Sequence, residues 1–209
     1  LRFTRYADDC LIFVRSKAAA TRVMHSITRF IDNKLGLKVN AEKSKITRPI
    51  GIKYLGFGYW KDPKTNSWKA RVHETSLKRF KNKIKKLTTR KWSVSFDYRI
   101  KKINEVTRGW INYFKIASMK SKLKSFSEHL RTRLRIICWK MWKVAKKRQW
   151  ALMKMGIVKD LARLTAYCGD RYYFVATKTC LVRAITKERL SKTGLIDPYD
   201  YYISRTCVN

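Results

Sequence analysis

The segment that decides the amino-terminal fold is Phe3-Thr-Arg-Tyr-Ala-Asp-Asp-Cys-Leu-Ile-Phe13. Aromatic and β-branched residues flank Asp8 and Asp9, which predicts two short strands joined by a tight turn. Aspartate is common in turns, so one interpretation of the doublet is structural. A second interpretation is functional, because Mg²⁺ requires clustered oxygen ligands and two-metal phosphoryl transfer uses clustered carboxylates to hold its ions.

The residues after this turn predict a helix and a further hairpin. Ser16 is a suitable N-cap, an apolar stripe continues to Leu35, and Gly36 is a suitable end. We expect strands near residues 37–40 and 44–48, and a hairpin formed by residues 53–60 and 67–72. The sequence therefore predicts a sheet with one long helix packed on it.

The net charge of the chain restricts the class of its partner. The 209 residues include 50 Lys and Arg but 14 Asp and Glu, which gives a formal net charge of +36. A compact body with this charge repels itself unless a polyanion neutralises it. Because 45% of the chain is hydrophobic and 13% is aromatic, a disordered basic tail is excluded. We therefore expect a folded protein that binds nucleic acid.

The basic charge is concentrated in residues 61–150, which hold 28 Lys and Arg against 5 Asp and Glu. Apolar residues recur there at three- and four-residue steps in 75–90, 96–117 and 121–147, which predicts three helices with one apolar stripe each. Because none can bury its stripe alone, we expect a three-helix bundle. This use of the stripes disfavours a membrane-surface protein, which would expose them. The sequence also lacks the run of about 18 apolar residues that a membrane-spanning helix needs.

The Lys-rich faces of these helices predict contacts with phosphate. A merely solvated basic face is the alternative, and it is usual where charges of both signs pair at i,i+4. Anions are nearly absent here, so nucleic acid is favoured, with strongly salt-dependent binding. The predicted RNA-binding residues are Lys78, Arg79, Lys81, Lys83, Lys85, Lys86, Arg131 and Arg135.

Several blocks, in order along the chain, resemble one family. The segment from Phe3 to Phe13 is similar to the catalytic palm motif of reverse transcriptases, and the Arg before Tyr-Ala-Asp-Asp is typical of group II intron reverse transcriptase/maturases. Residues 37–47 resemble the next palm block and residues 53–57 resemble the primer-grip hairpin. Residues 108–114 resemble the signature of the family's thumb, or maturase, region.

The resemblance implies an α+β fold in three parts. Residues 1–73 would form the C-terminal part of a palm, an antiparallel sheet plus helix that carries the Tyr-Ala-Asp-Asp hairpin and the primer grip. Residues 74–150 would form an α-helical thumb bundle, the maturase (X) domain. Residues 151–209 would form a small, mostly helical tail of the DNA-binding type. Residues 169–174 and 194–202 are similar to the end of bacterial members that lack an endonuclease domain.

The resemblance also implies roles for single residues. Asp8 would bind both of two Mg²⁺ ions, and Asp9 would support the second position. The residues near the primer terminus and incoming nucleotide would be Tyr6, Ala7, Lys43 and Lys45, with a solvated surface position as the alternative for the two lysines. The primer grip would be Tyr54, Leu55, Gly56 and Phe57. A further palm aspartate of the family lies upstream of this motif, so the two-metal site is incomplete without it.

The implied function is that of an RNA-directed DNA polymerase, a nucleotidyltransferase, that also binds intron RNA and assists its splicing and retrohoming. The family's fingers and the other half of its palm lie upstream of the motif, so we expect them as partners. The other expected partners are intron and template RNA and primer and target DNA, with no membrane. The chain alone is expected to bind RNA but not to synthesise DNA. We expect it in the bacterial cytoplasm near the nucleoid, or in an organelle of a eukaryote.

Two alternatives stay open from the sequence. The first is a non-catalytic RNA-binding module formed by the basic helices. The second is the reverse transcriptase of a retron, a diversity-generating element or a CRISPR locus, because the motif around Asp8 is shared among these enzymes. The block from Arg108 to Phe114 and the tail favour the intron type.

Overall fold

The computed structural model describes residues 2–206, and the chain divides after His73 into two compact units. The first, which we call unit 1, contains two small antiparallel hairpins and a long helix. The second, unit 2, is built from helices. The predicted α+β class is therefore confirmed.

Two strands of unit 1 form the hairpin predicted around the aspartates. They are β1 (Arg2–Tyr6) and β2 (Asp9–Phe13), and they pair antiparallel with Tyr6 opposite Asp9. This register leaves a two-residue loop, in which Ala7 has a left-handed φ of 49°. The Arg5 Nε donates a hydrogen bond of 3.0 Å to the Ala7 carbonyl and holds the loop from the strand side.

The predicted helix follows as α1 (Lys17–Leu35), with both predicted ends confirmed. The Ser16 hydroxyl accepts a hydrogen bond from the Ala19 amide at 3.1 Å. Gly36 has a φ of 63°, a conformation that costs glycine little, and its amide donates to the Asp32 carbonyl. No residue of α1 is buried, so the expected packing of this helix on a sheet is not seen among the described residues.

The strands predicted at residues 37–40 and 44–48 are wrong. Asn40 starts a turn, since its carbonyl and its side chain both accept from the Lys43 amide. A short 3-10 helix, Pro49–Gly51, follows. A strand forms only where a neighbouring strand accepts its hydrogen bonds, and among residues 2–206 none pairs with this segment.

The second hairpin of unit 1 consists of β3 (Phe57–Lys61) and β4 (Trp68–Val72), as predicted. The turn between them is held by Asp62, which is buried and ion-paired with Lys69. The Asp62 carboxylate also accepts from the Lys64 amide at 3.1 Å. These contacts lower the pKa of Asp62, chiefly through the hydrogen bond from Lys69. The two hairpins form separate two-stranded sheets rather than one sheet.

Unit 2 begins with the three helices that the apolar stripes predict. Their bounds are α2 (Glu74–Leu87), α3 (Phe96–Phe114) and α4 (Lys120–Met141). Six shorter helices follow, in agreement with a mostly helical tail: α5 (Ala145–Lys154), α6 (Lys159–Ala166), α7 (Tyr172–Thr177), α8 (Thr179–Ala184), α9 (Lys187–Lys192) and α10 (Pro198–Thr206).

One hydrophobic core joins these helices. Phe80 of α2 stacks on Trp110 of α3, with 4.3 Å between ring centroids, and lies 4.9 Å from the Phe126 ring of α4. The same cluster continues to Leu195 near the carboxyl end. The boundary predicted between residues 150 and 151 falls inside α5, and whether the two parts act as separate domains stays a prediction. Within residues 2–206, no helix combines the length and the apolar character that crossing a membrane would need.

Candidate functional site

The tip of the first hairpin brings together the two predicted metal ligands, Asp8 and Asp9, and two of the residues predicted near the primer terminus, Tyr6 and Ala7. Tyr6 ends β1, Ala7 and Asp8 form the loop, and Asp9 begins β2. All four are exposed, with Tyr6 at 65%. Neither carboxylate forms a hydrogen bond or an ion pair with any other residue in the range 2–206. The aspartates are therefore available to an external ligand.

The donor set at this tip fits a hard divalent cation. Carboxylate oxygens are preferred Mg²⁺ ligands, and Mg²⁺ sites that act on nucleotides use one or two carboxylates together with substrate phosphates. Asp8 and Asp9 supply two such groups on adjacent residues. Over the described range no group of three or more potential metal ligands exists, so Asp8 and Asp9 are a pair of carboxylates without a third such ligand among those residues.

The predicted primer-grip residues form a tight turn of their own. Tyr54 and Phe57 exchange two backbone hydrogen bonds, of 3.0 and 2.9 Å. The two residues between them are left-handed, with φ values of 50° at Leu55 and 81° at Gly56. The Gly56 carbonyl accepts from the His73 amide at 3.0 Å, which ties the turn to the chain just after β4. The turn is thus a fixed backbone platform.

The two lysines proposed to face the triphosphate lie in the irregular segment between α1 and the 3-10 helix. Lys43 and Lys45 are both exposed. The Lys43 amide is held by Asn40, while neither ammonium group is ion-paired within residues 2–206. The role of both lysines near the incoming nucleotide stays a prediction.

The basic face of α2 is the main uncompensated charge of unit 2. This helix buries Phe80 and Ile84, and its one acidic residue, Glu74, stands at its first position. The six predicted cations are exposed, and none has an ion-pair partner within the described part of the chain. They are Lys78, Arg79, Lys81, Lys83, Lys85 and Lys86. We refer to these six residues as the α2 basic face.

Positive charge beside the α2 basic face affects the pKa of His129, a residue of α4. Burial lowers the pKa of His129, and the charges of Arg133 and Lys81 lower it further. Arg133 is held in place by hydrogen bonds of 2.6 Å to the Thr88 hydroxyl and 3.1 Å to the Thr88 carbonyl. The end of α2 and the middle of α4 therefore form one positively charged region.

Two residues predicted to bind RNA have internal partners instead. Arg131 forms an ion pair with Asp197, with 2.6 Å between Nη1 and Oδ2. Arg135 is buried, and its Nε donates to the Ile185 carbonyl at 3.1 Å. The reason is that α4 packs against α7 and α10 of the tail. The two guanidinium groups therefore bind the tail to the three-helix bundle. We remove both from the predicted RNA-binding surface.

The sequence leaves open whether three consecutive aromatic residues of the tail are buried or exposed. Tyr172, Tyr173 and Phe174 fit either strand core or a stacking surface, and strand core is the favoured interpretation. The structure places them on α7, with Tyr173 exposed at 67% and Phe174 at 47%. The favoured strand is therefore wrong, because the segment is helical. The neighbouring Arg171 was the available signal for an exposed surface, since surfaces that bind single strands combine cations with aromatic rings.

Comparison with known families agrees with the order of these features. Residues 1–59 match the family described as reverse transcriptase (RNA-dependent DNA polymerase). Residues 77–156 match the family described as group II intron, maturase-specific domain. No curated protein matches the chain. The chain therefore combines a reverse-transcriptase segment within unit 1 with a group II intron maturase-specific domain within unit 2.

Proposed function

We propose that the α2 basic face binds structured RNA, as the part of unit 2 through which a maturase holds its intron. The observation that carries this proposal is a helix with six exposed cations, none of which has an ion-pair partner in the part of the chain that the structure describes. Phosphates would neutralise this face and release counter-ions, which makes affinity fall steeply with salt. Contacts of lysine and arginine with phosphate do not read base sequence, which suits the shape-based recognition of folded RNA.

Unit 1 would supply the palm end of the polymerase site. Asp8 and Asp9 would hold Mg²⁺, which when bound neutralises phosphate charge and orients the reacting oxygens. Tyr6 and Ala7 would lie under the primer terminus, where the strained loop fixes their backbone. The turn at Leu55 and Gly56 would hold the primer strand through its backbone.

The apolar surface of unit 1 supports a further partner, the fingers and other half of the palm. Within residues 2–73, the buried positions are Gly58, Asp62 and Val72, which is too few for a core. Phe3 is exposed at 70% and Phe13 at 43%, both on the first hairpin. A patch of exposed apolar side chains on a hairpin is typical of a surface that another segment covers.

Primer extension tests the polymerase proposal. We expect no nucleotide incorporation by the 209-residue chain, because two carboxylates and one hairpin do not make a complete site. We expect synthesis when the upstream palm and fingers are supplied, and its loss on changing Asp8→Asn together with Asp9→Asn. Templated synthesis by the chain alone, or full activity of the double variant, would contradict the proposal.

RNA binding tests the α2 basic face separately. We expect the quadruple change of Lys81, Lys83, Lys85 and Lys86 to Gln to weaken binding of a folded intron RNA, with a flatter dependence of log K on log salt. Glutamine keeps helix propensity close to that of lysine. The matched control changes four exposed lysines on or beside α5 to Gln: Lys143, Lys146, Lys147 and Lys154. Equal losses in the two variants would show a general charge effect and no specific face.

The two activities are separable if both proposals hold. The Asp8→Asn, Asp9→Asn variant should bind intron RNA with unchanged affinity, because the aspartates belong to unit 1 and the α2 basic face belongs to unit 2. A non-catalytic RNA-binding module is the second candidate function. The complete core of unit 2, against the few buried residues of unit 1, favours it for this chain in isolation.

A further inference from the structure

A cleft in unit 2 lies outside both sites described above. It has a volume of about 690 Å³ and is formed by the end of α2, the middle of α4 and the start of α7. Its lining residues combine cations, exposed aromatics and small hydroxyl groups: Thr88, Thr89, Arg90, Arg133, Ile136, Asp170, Arg171, Tyr172, Tyr173 and Phe174.

The cleft carries an excess of positive charge. Arg90 and Arg171 are exposed, and Arg133 is half-buried. None of the three has a carboxylate partner within residues 2–206. The one acidic group in the lining, Asp170, is ion-paired with Arg148 at 3.2 Å. An anionic ligand would therefore meet three cations and a carboxylate that is already neutralised.

The aromatic side chains of the cleft are arranged for stacking. The Arg90 guanidinium carbon lies 4.4 Å from the centroid of the Tyr172 ring, so Tyr172 is already covered. Phe174 has the Lys178 ammonium 4.4 Å from its ring centroid. Tyr173 is 67% exposed, and no aromatic or cationic group of the described residues covers its ring. One open aromatic face thus stands beside unpaired cations.

We propose that this cleft binds an unpaired segment of single-stranded nucleic acid, with one base stacked on Tyr173 and the adjoining phosphates on Arg90 and Arg171. Base stacking on an aromatic ring tolerates any sequence, and guanidinium groups bind phosphate with two parallel hydrogen bonds. Arg133 is fixed by the Lys85 and Thr88 carbonyls, so it supplies positive charge without having to be ordered on binding.

The cleft would extend the proposed RNA-binding surface, on which this inference rests, because Arg133 lies between the end of α2 and the cleft. A folded RNA that lies along the α2 basic face could place an unpaired nucleotide at Tyr173. The same chemistry would accept a single strand of target DNA. Stacking on a ring and contacts to phosphate do not discriminate between ribose and deoxyribose, so the experiment uses both.

The test measures binding of two fluorescein-labelled single strands, U12 and dT12, by the 209-residue chain. Tyr173→Ala should weaken binding about tenfold, the size of one lost stacking contact, without changing the salt slope. Tyr173→Phe keeps the ring and should keep the affinity. Arg171→Gln should reduce the magnitude of the salt slope by about 0.7, the value for one phosphate contact on a single strand.

Matched controls replace exposed residues outside the cleft. Tyr167→Ala removes a 70% exposed tyrosine, and Arg183→Gln removes an exposed arginine. Both should leave the affinity for the single strands within about twofold. A loss confined to U12 would identify RNA as the ligand, and a loss confined to dT12 would identify DNA; either supports the cleft. Unchanged binding of both strands by Tyr173→Ala would overturn it.

The failure of this inference is distinguishable from failure of RNA binding by α2. The Lys→Gln variant of the α2 basic face is measured beside Tyr173→Ala on a folded RNA hairpin. If the α2 variant alone loses affinity on every ligand, the cleft is rejected and the α2 basic face stands. As a direct readout, a strand containing 4-thiouridine should crosslink to the peptide that holds residues 171–174. Crosslinks found only in other peptides would also reject the cleft.

Discussion

Arginine serves two different purposes in unit 2, and burial separates them. Arg79 is exposed on α2 and has no ion-pair partner within the described residues. Arg99 is 3% exposed and donates to the carbonyls of Leu87 at 2.5 Å and Trp92 at 2.5 Å. The first is available to phosphate, whereas the second satisfies carbonyl groups at and beyond the end of α2. Burial lowers the pKa of Arg99.

Exchanging each of these arginines for glutamine should separate stability from binding. Arg99→Gln leaves buried carbonyls without donors, so we expect the free energy of unfolding to fall by about 2–4 kcal/mol. Arg79→Gln should change it by less than about 0.5 kcal/mol and should weaken RNA binding instead. Urea denaturation measures the first effect and a filter-binding assay the second. Equal stabilities of the two variants would contradict the assignment.

The pKa of His129 should respond to RNA. Burial and the positive charges of Arg133 and Lys81 hold this pKa below its usual value in the free protein. Bound phosphate cancels part of that potential, so the pKa should rise and binding should take up a proton. RNA affinity should therefore increase as pH falls toward the pKa of His129 in the complex. Titration of the imidazole resonances by NMR measures the shift.

Lys81→Gln provides the control for this prediction. It removes one of the charges that lower the pKa of His129, so the pKa of the free protein should rise without RNA. The further rise on RNA binding should be smaller in this variant. An imidazole pKa that does not move when RNA is added would place His129 away from the bound phosphates.

Elements whose patterns are local were predictable from the sequence. The apolar stripe of α2 contains Phe80 and Ile84, both buried, and α1 begins after Ser16 and ends before Gly36 as expected. What failed depended on partners distant in the chain. Residues 37–48 resemble strands in composition but have no pairing strand within residues 2–206. Arg135 looks like a solvent-facing cation, but it is buried, and its Nε donates to the Ile185 carbonyl in the tail, about fifty positions later.

The candidate sites also differ in how far the sequence predicts them. The Asp8–Asp9 hairpin and the α2 basic face follow from short segments, so their geometry was predictable. The cleft was not, because Arg90 and Tyr172 become neighbours only when α7 packs against α4. Periodicity describes one element at a time, and a cleft built from three elements requires their packing.

The turn at Leu55 and Gly56, just before β3, tests the geometry proposed for the primer grip. Gly56 has a φ of 81°, where a Cβ is disfavoured, so Gly56→Ala should cost about 1–2 kcal/mol locally. Hydrogen exchange of the Phe57 amide, which donates to Tyr54, should accelerate by about five- to thirtyfold. Leu55→Asn, which tolerates the left-handed conformation, should not accelerate it. Equal exchange rates of the Phe57 amide in the two variants would contradict the geometry assigned to this turn.

At the scale of the whole molecule, charge and stability act against each other. A net charge of +36 over 209 residues stores repulsion in the folded state, and unit 1 has few buried residues with which to resist it. Nucleic acid removes this repulsion. The chain is therefore expected to be more stable in its complex than when free, to an extent that salt controls.

Salt should shift the melting temperatures of the free and RNA-bound chain in opposite directions. Added salt screens the repulsion between cations, so the Tm of the free chain should rise. The same salt weakens phosphate contacts, and the stabilisation by RNA, which grows with the logarithm of ligand concentration over Kd, should shrink. Calorimetry in increasing NaCl should show the two Tm values converging. For the Lys→Gln variant of the α2 basic face, the two Tm values should converge at lower salt, because fewer phosphate contacts contribute to its complex. An RNA-induced Tm shift that does not depend on salt would mean that RNA is held by something other than this cationic surface.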